Sequence, residues 1–336
     1  MKNIVVHDEF NQTDLKPTDL FREYLKLTEQ DVRQILASSK TLKECACPGC
    51  GAGGGRTAFD RYGLKYLECP GCRTLYVSPR PEDSVLNDYY TKGKARTFWR
   101  DQLSKTTDRK RKEKIVKPRF HWILESIAEH LPAAQAWLDL NTTQDAYIDG
   151  MCQAKQFTKR ILVNPYIHPD SLKGKTCVEV VASPWWKTSV KAEMDVVTLF
   201  EVADHTSDVS GLFAKVTAML KPGGLCFITA ILGSGFDIQT LWEKAENLYP
   251  PDRLNVFSTE GFQALFKKNN FEVLEFSTPG ILDLEIVAKA AKSGAEIPRF
   301  VRYLLDSRED NIKGAFQEFL QSSLLSSYGR ILVRKR

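Results

Sequence analysis

Two pairs of cysteines carry the clearest chemistry in this sequence. Cys47-Pro-Gly-Cys50 and Cys69-Pro-Gly-Cys72 are C-x-x-C motifs separated by eighteen residues. Each pair can fold into a tight knuckle that aims both thiolates at one ion, and two knuckles complete a tetrahedral four-sulfur site. Soft thiolates in that geometry select Zn²⁺, with iron as the lesser option. Protein fills all four positions, so the expected site is structural and closed to water. Cys45 is a neighbour or an alternative ligand, while Cys152, Cys177 and Cys226 read as small core residues.

The second chemical feature is a basic segment. From Lys92 to Arg119 there are twelve Lys/Arg against three acids, an excess of +9, and the rest of the chain sums to −4. One reading is a phosphate-binding surface for a nucleotide-linked substrate or nucleic acid, with Arg96, Arg100, Arg109 and Lys110 as contacts. The other is a solvated helix face. Phe98 and Trp99 beside Arg96 and Arg100 offer a stacking surface to the first reading.

These residues need elements to position them. Residues 1–40 read as a helical segment with a near capping box at Thr28-Glu-Gln-Asp31. Residues 41–82, rich in Gly, Pro and Cys, form the expected zinc-binding module, and 83–130 a helical, basic connection. Short apolar, β-branched runs follow at 134–140, 160–166, 176–183, 194–202 and 224–232, with helix-compatible segments such as 208–221 between several of them. That alternation predicts βαβ units and a parallel sheet over 131–292. Residues 293–336 are expected to add helices and a final strand.

Composition sets the outer bounds. The chain has 336 residues, 43% hydrophobic, with 47 Lys+Arg and 42 Asp+Glu, which argues against disordered, collagen-like and disulfide-dense classes. The longest tempting uncharged run, 222–236, has fifteen residues with one Pro and four Gly. A membrane helix needs about 20 apolar residues. With no apolar targeting stretch at the N-terminus, the expected location is the cytoplasm, where paired cysteines mean metal or redox chemistry.

MDVVTLFEVADH, then a helix, then LKPGGLCFITA resembles the second half of a class I S-adenosylmethionine-dependent methyltransferase domain. CPGC…YLECPGCRTLYVSPRPED followed by NDYY resembles the zinc-binding module preceding such domains in bacterial methyltransferases of sugar and polysaccharide gene sets, and the likeness runs over roughly 45–336. It implies an α/β fold with a Rossmann-like, mostly parallel, doubly wound sheet preceded by a small zinc-ribbon-like module and helices. It also implies cofactor across the carboxyl ends of the first strands, and a sugar, nucleotide sugar or other small polar acceptor.

Against that pattern the chain departs at two places. The loop after the first strand, Asn141-Thr142-Thr143-Gln144-Asp145, lacks the glycines that would let backbone approach a cofactor. The second strand ends in Asn164, where the family carries an acid for the ribose hydroxyls. Asp139, Asn141, Asn164, Ser183 and Glu201 are the cofactor-contact candidates that remain. Arg253 stands where related sugar methyltransferases carry a histidine, and cannot act as a base near neutral pH; it joins the phosphate candidates. His205 is the candidate base, with Asp204 beside it; alternatively His205 only holds loop backbone and Asp204 only caps a helix. Trp185-Trp186 reads as sheet cover or pocket lining, and Tyr249-Pro250-Pro251 as a loop near the entrance.

Three functions therefore stand open. The chain is a methyltransferase; or a degenerate, non-catalytic one acting as partner subunit or ligand-binding scaffold without the cofactor; or, ranked last, a nucleic-acid binder.

Overall fold

The structure is a computed structural model that describes residues 5–6, 11–38, 42–140, 145–167, 172–188 and 193–336. Three strands belong to the cysteine module: β1 (Arg56–Arg61), β2 (Leu64–Glu68) and β3 (Leu75–Val77). The sheet domain adds β4 (Ala136–Leu140), β5 (Lys159–Val163), β6 (Glu179–Val181), β7 (Met194–Phe200), β8 (Leu220–Ile231), β9 (Asn255–Val256), β10 (Phe271–Ser277) and β11 (Tyr328–Lys335). The central sheet runs β10-β11-β8-β7-β4-β5-β6. Its neighbours from β8 to β6 are parallel, and β11 is antiparallel to both β8 and β10.

β7 is buried over its first six residues, as a central strand covered on both faces must be. Leu138 and Leu140 pack with Val197, Phe213 and Phe262 on one face, and Trp137 packs with Tyr147, Ile123 and Phe227 on the other. The chain leaves β4 toward β5 and β6 on one side and returns to β7 on the other. The sheet therefore has its switch point at the carboxyl ends of β4 and β7, where open α/β sheets bind ligands.

The expected final strand, Tyr328–Lys335, lies in the central sheet between β8 and β10. One expectation about extent changes. The N-terminal helix begins at Thr18, not at Thr28, and runs to Ser38. Thr28 lies inside it and donates its hydroxyl to the Tyr24 carbonyl one turn back at 2.8 Å. Cys152 and Cys177 also correct the sequence reading: they are joined in a disulfide, with Cα atoms 5.5 Å apart.

The basic segment is a continuous helix over 94–130 with two π-helical stretches, Trp99–Ser104 and Lys112–Val116. The second lies just before Pro118, whose missing N–H and ring clash disrupt the ordinary i−4 ladder. The wider π turn accommodates that break without ending the helix. Among the described residues no helix is long and apolar enough to cross a membrane.

Candidate functional site

The four-sulfur cluster forms as the spacing requires. The sulfurs of Cys47 and Cys72 lie 3.5 Å apart, as do those of Cys50 and Cys69, and all four fall within 4.8 Å of one another. Zinc at about 2.3 Å from each of four tetrahedral sulfurs spaces them roughly 3.8 Å apart, so the donor set and its size fit that ion. The two knuckles match: the residue after each second cysteine, Gly51 or Arg73, has a left-handed φ and donates its N–H to the first cysteine's carbonyl. Cys45 turns away, its sulfur 3.7 Å from the Val77 carbonyl.

This module is fastened to the sheet domain. β3 pairs antiparallel with β9. The Ser258 hydroxyl donates to the Cys72 carbonyl and accepts from Gly261 N at the start of helix Thr259–Lys268. Tyr66 donates to the Arg253 carbonyl at 2.5 Å. The segment 252–258 therefore has the cysteine module on one side and the sheet's carboxyl edge on the other.

A cavity of about 390 Å³ opens at that edge. Lys16, Arg96, Arg111, Lys114, Arg119, Arg253 and Arg330 line it against three acids, Glu201, Asp252 and Asp283. Glu201 follows β7 in a left-handed conformation (φ 60°), an unfavourable state for a side-chain-bearing residue that clusters at functional sites. Its N–H is held by Thr229 O at 2.8 Å. Its carboxylate meets Arg253 at 2.9 Å and Arg119 at 3.2 Å. Burial acts to raise its pKa, but the two guanidiniums outweigh it and hold it at about 2.

Asp204 and His205 sit on the short helix that follows. Asp204 is fully buried, accepting from Ile231 N at 3.1 Å with Arg253 at 3.4 Å. Burial pushes its carboxyl up to about 8 even with Arg253 near, so at neutral pH it is mostly protonated. His205 lines the cavity, its ring 5.1 Å from that of Tyr90. Burial lowers its pKa to about 4, which keeps the imidazole neutral. Asp252, the residue before Arg253, accepts from Tyr24 and Tyr90 and lies 3.6 Å from Arg96.

The structure brings Arg96, Glu201, His205 and Arg253 to one cavity, with Asp204 directly beneath Arg253. It separates the others. Asp139 is fully buried on the Trp137 face of β4, accepting from the Thr198 hydroxyl at 2.5 Å. Asn164 is also fully buried, and its side-chain oxygen accepts from Tyr166 N at 2.7 Å in a local turn. Ser183 lies 3.4 Å from the Pro184 carbonyl, off the cavity wall. Asn141 is outside the described residues. Arg100 pairs with its neighbour Asp101, Arg109 is exposed, and Lys110 pairs with Asp14 at 3.4 Å. Trp185 is core, with Trp186 packed on it edge to face.

Sequence reasoning missed Lys16, Arg111, Arg119 and Arg330. Arg111, Ile115, Pro118 and Arg119 share one helical face, a phase that could have split the basic segment into an inner and an outer side. Lys16 carried no such signal.

For the cofactor the resemblance implies, the fit is divided. Glu201, kept anionic at the cavity, suits the cationic ammonium or sulfonium end of S-adenosylmethionine. At the ribose end Asn164 is neutral and already accepts from Tyr166 N, and no glycine occurs between Asp139 and Gly150.

A family model described as a methyltransferase domain matches residues 94–276. Among solved structures, one described as a sarcosine dimethylglycine methyltransferase from Galdieria sulphuraria is 16% identical, covering 70% of this chain and 88% of its own, with a TM-score of 0.42. Coclaurine N-methyltransferase bound to N-methylheliamine and S-adenosylhomocysteine is 16% identical over 64% of this chain and 72% of its own, TM-score 0.40. The N-methyltransferase NodS from Bradyrhizobium japonicum is 11% identical over 65% and 95%, TM-score 0.38. No curated protein matches the chain.

Proposed function

The chain belongs to the methyltransferase-domain family, and from that premise we propose that it moves a methyl group from S-adenosylmethionine to a small polar acceptor held in the cavity beyond β7 and β8. A sugar or nucleotide sugar suits the polar lining best. The observation that carries this reading is the Glu201–Arg119–Arg253 set at the sheet's switch point, with neutral His205 on the same cavity.

The cofactor, when bound, supplies an electrophilic methyl group on a sulfonium. The chain's residues do the rest. Glu201, fixed between two guanidiniums, stays anionic and holds a cationic group at the end of β7. His205 has an unprotonated imidazole at neutral pH and takes the acceptor's proton. Arg96 and Arg253 orient polar groups of the acceptor, and holding it in line with the methyl group supplies much of the rate. We further assign the cluster of Cys47, Cys50, Cys69 and Cys72 to structural Zn²⁺, which fixes segment 252–258 and with it Arg253.

A second reading is favoured by Asp139 and Asn164, whose oxygens are engaged inside the fold: a ligand-binding scaffold without methyl transfer. Incubating zinc-loaded protein with methyl-labelled cofactor and a panel of sugars, sugar phosphates and nucleotide sugars separates the two. Labelled product supports the enzyme. Acceptor binding without transfer supports the scaffold.

A further inference from the structure

The cavity holds more positive charge than its acids offset, and part of that charge comes from a segment outside the family match at 94–276. Lys16 follows the short helix Gln12–Leu15 and reaches the cavity from the N-terminal side. Its Nζ donates to Asn247 Oδ1 at 2.7 Å and lies 4.5 Å over the Phe21 ring. Arg111, opposite, donates to the Leu15 carbonyl at 2.7 Å and to the Thr107 hydroxyl at 2.8 Å, and its guanidinium stands 5.0 Å over Trp99. Among the described residues neither cation has a carboxylate within ion-pair distance. Arg253 spends two nitrogens on Glu201 and Asp204, and its Nε is buried with no hydrogen-bond partner.

We propose that Lys16, Arg111 and Arg253 form a subsite for a phosphate group, so that the acceptor is a phosphate ester bound under a roof made by residues 11–16. This rests on the cavity being the acceptor site. Lys16 and Arg111, partly buried with no carboxylate partner among the described residues, and Arg253, which shares Glu201 with Arg119, leave positive charge that an anion would complete. A phosphate dianion brings up to two charges and three outward oxygens, which match a guanidinium fork and an ammonium better than one carboxylate does. The roof is tied down: Gln12 N donates to Glu285 at 3.0 Å, Lys289 donates back to Gln12 at 3.3 Å, and Asp14 pairs with Lys110 at 3.4 Å.

The same arrangement gives the subsite a proton signature. Burial, then Arg253 and Arg111, lower the Lys16 pKa to about 7, while Glu201 and Glu246 act to raise it. A bound dianion favours the ammonium, so above that pH binding draws a proton from solution.

The test is calorimetry on the full, zinc-loaded chain with inorganic sulfate, which carries no proton of its own near neutrality, and with inorganic phosphate. Titrations run above pH 7 in buffers of differing ionisation enthalpy. Wild type is expected to bind both anions and to take up protons with sulfate. Lys16→Gln weakens binding about tenfold and abolishes the uptake. Lys16→Arg keeps the affinity and abolishes the uptake, which separates the charge from the fold. Arg111→Gln weakens binding about as much as Lys16→Gln. Absence of anion binding, or affinities unchanged in both Gln variants, overturns the subsite. S-adenosylhomocysteine is titrated in parallel: its failure to bind while sulfate binds sinks the methyltransferase reading alone, and the reverse sinks the subsite alone.

Discussion

Arg80 donates to the side-chain oxygen of Asn255 at 2.5 Å, both residues buried, and so links the cysteine module to the edge of the cavity. The Asn255 amide nitrogen donates onward to the carbonyls of Ala203 and Thr206, each at 2.8 Å. Those carbonyls belong to the turn that carries Asp204 and His205. One asparagine thus holds the module, β9 and the candidate base in register.

Asn255→Ala is expected to leave the Arg80 fork and two carbonyls without their partner. Unpaired buried groups cost about 1–3 kcal/mol each before relaxation, so a loss of about 3 kcal/mol in urea unfolding is predicted. Arg80→Met, which removes one bond and the charge together, should cost less.

Cys47→Ser and Cys69→Ser are each expected to abolish stoichiometric zinc, read by metal analysis. They should also lower the thermal midpoint, because ligand binding energy in such sites is folding energy. Cobalt substituted into the wild type should show a tetrahedral thiolate spectrum. The effect should reach the cavity through Ser258 and Tyr66, so ligand affinity falls with the metal.

Asp204 sets a pH slope of known sign. Its folded pKa of about 8 lies above the ordinary 3.8, so the folded state holds a proton that the unfolded chain releases between those values. Its contribution to stability is full below 3.8 and is lost as pH rises toward 8. His205 has the opposite slope: its folded value of about 4 lies below 6.5, so stability falls as pH drops from 6.5 to 4. Asp204→Asn should remove the decline between about 4 and 8, so that the His205 slope between about 4 and 6.5 stands unopposed.

The parts of this molecule that sequence made legible are those where chemistry dictates spacing. Two knuckles around one ion need C-x-x-C twice, and a strand buried on both faces, such as MDVVTLF, needs a continuous apolar run. Glu201, His205 and Arg253 came to notice through the likeness to methyltransferase domains, and all three line one cavity. Lys16 was not legible: its contact with Asn247 spans 231 residues and leaves no local pattern. Asp139 and Asn164 sat at the expected strand ends, yet Thr198 on the neighbouring strand and the N–H of Tyr166 claim their oxygens. The disulfide between Cys152 and Cys177 joins a helix to the approach of β6, a pairing that solitary cysteines do not announce.

Glu201→Gln keeps the shape of the side chain and removes the charge between Arg119 and Arg253. Methyl transfer is expected to fall about tenfold or more, since a preorganised charge at the reacting centre is lost. Thermal stability should fall as well, because the largely buried Arg119 and Arg253 lose the carboxylate they share. Initial rates and a melting curve on the same sample check both halves.

The central claim is that the cavity at the ends of β7 and β8 serves a cofactor-binding methyltransferase. The most direct measurement is calorimetric titration of zinc-loaded protein with S-adenosylhomocysteine, alongside the Glu201→Gln variant. Saturable one-to-one binding, weakened in the variant, is the predicted result. No heat and no thermal shift at saturating S-adenosylhomocysteine would contradict it.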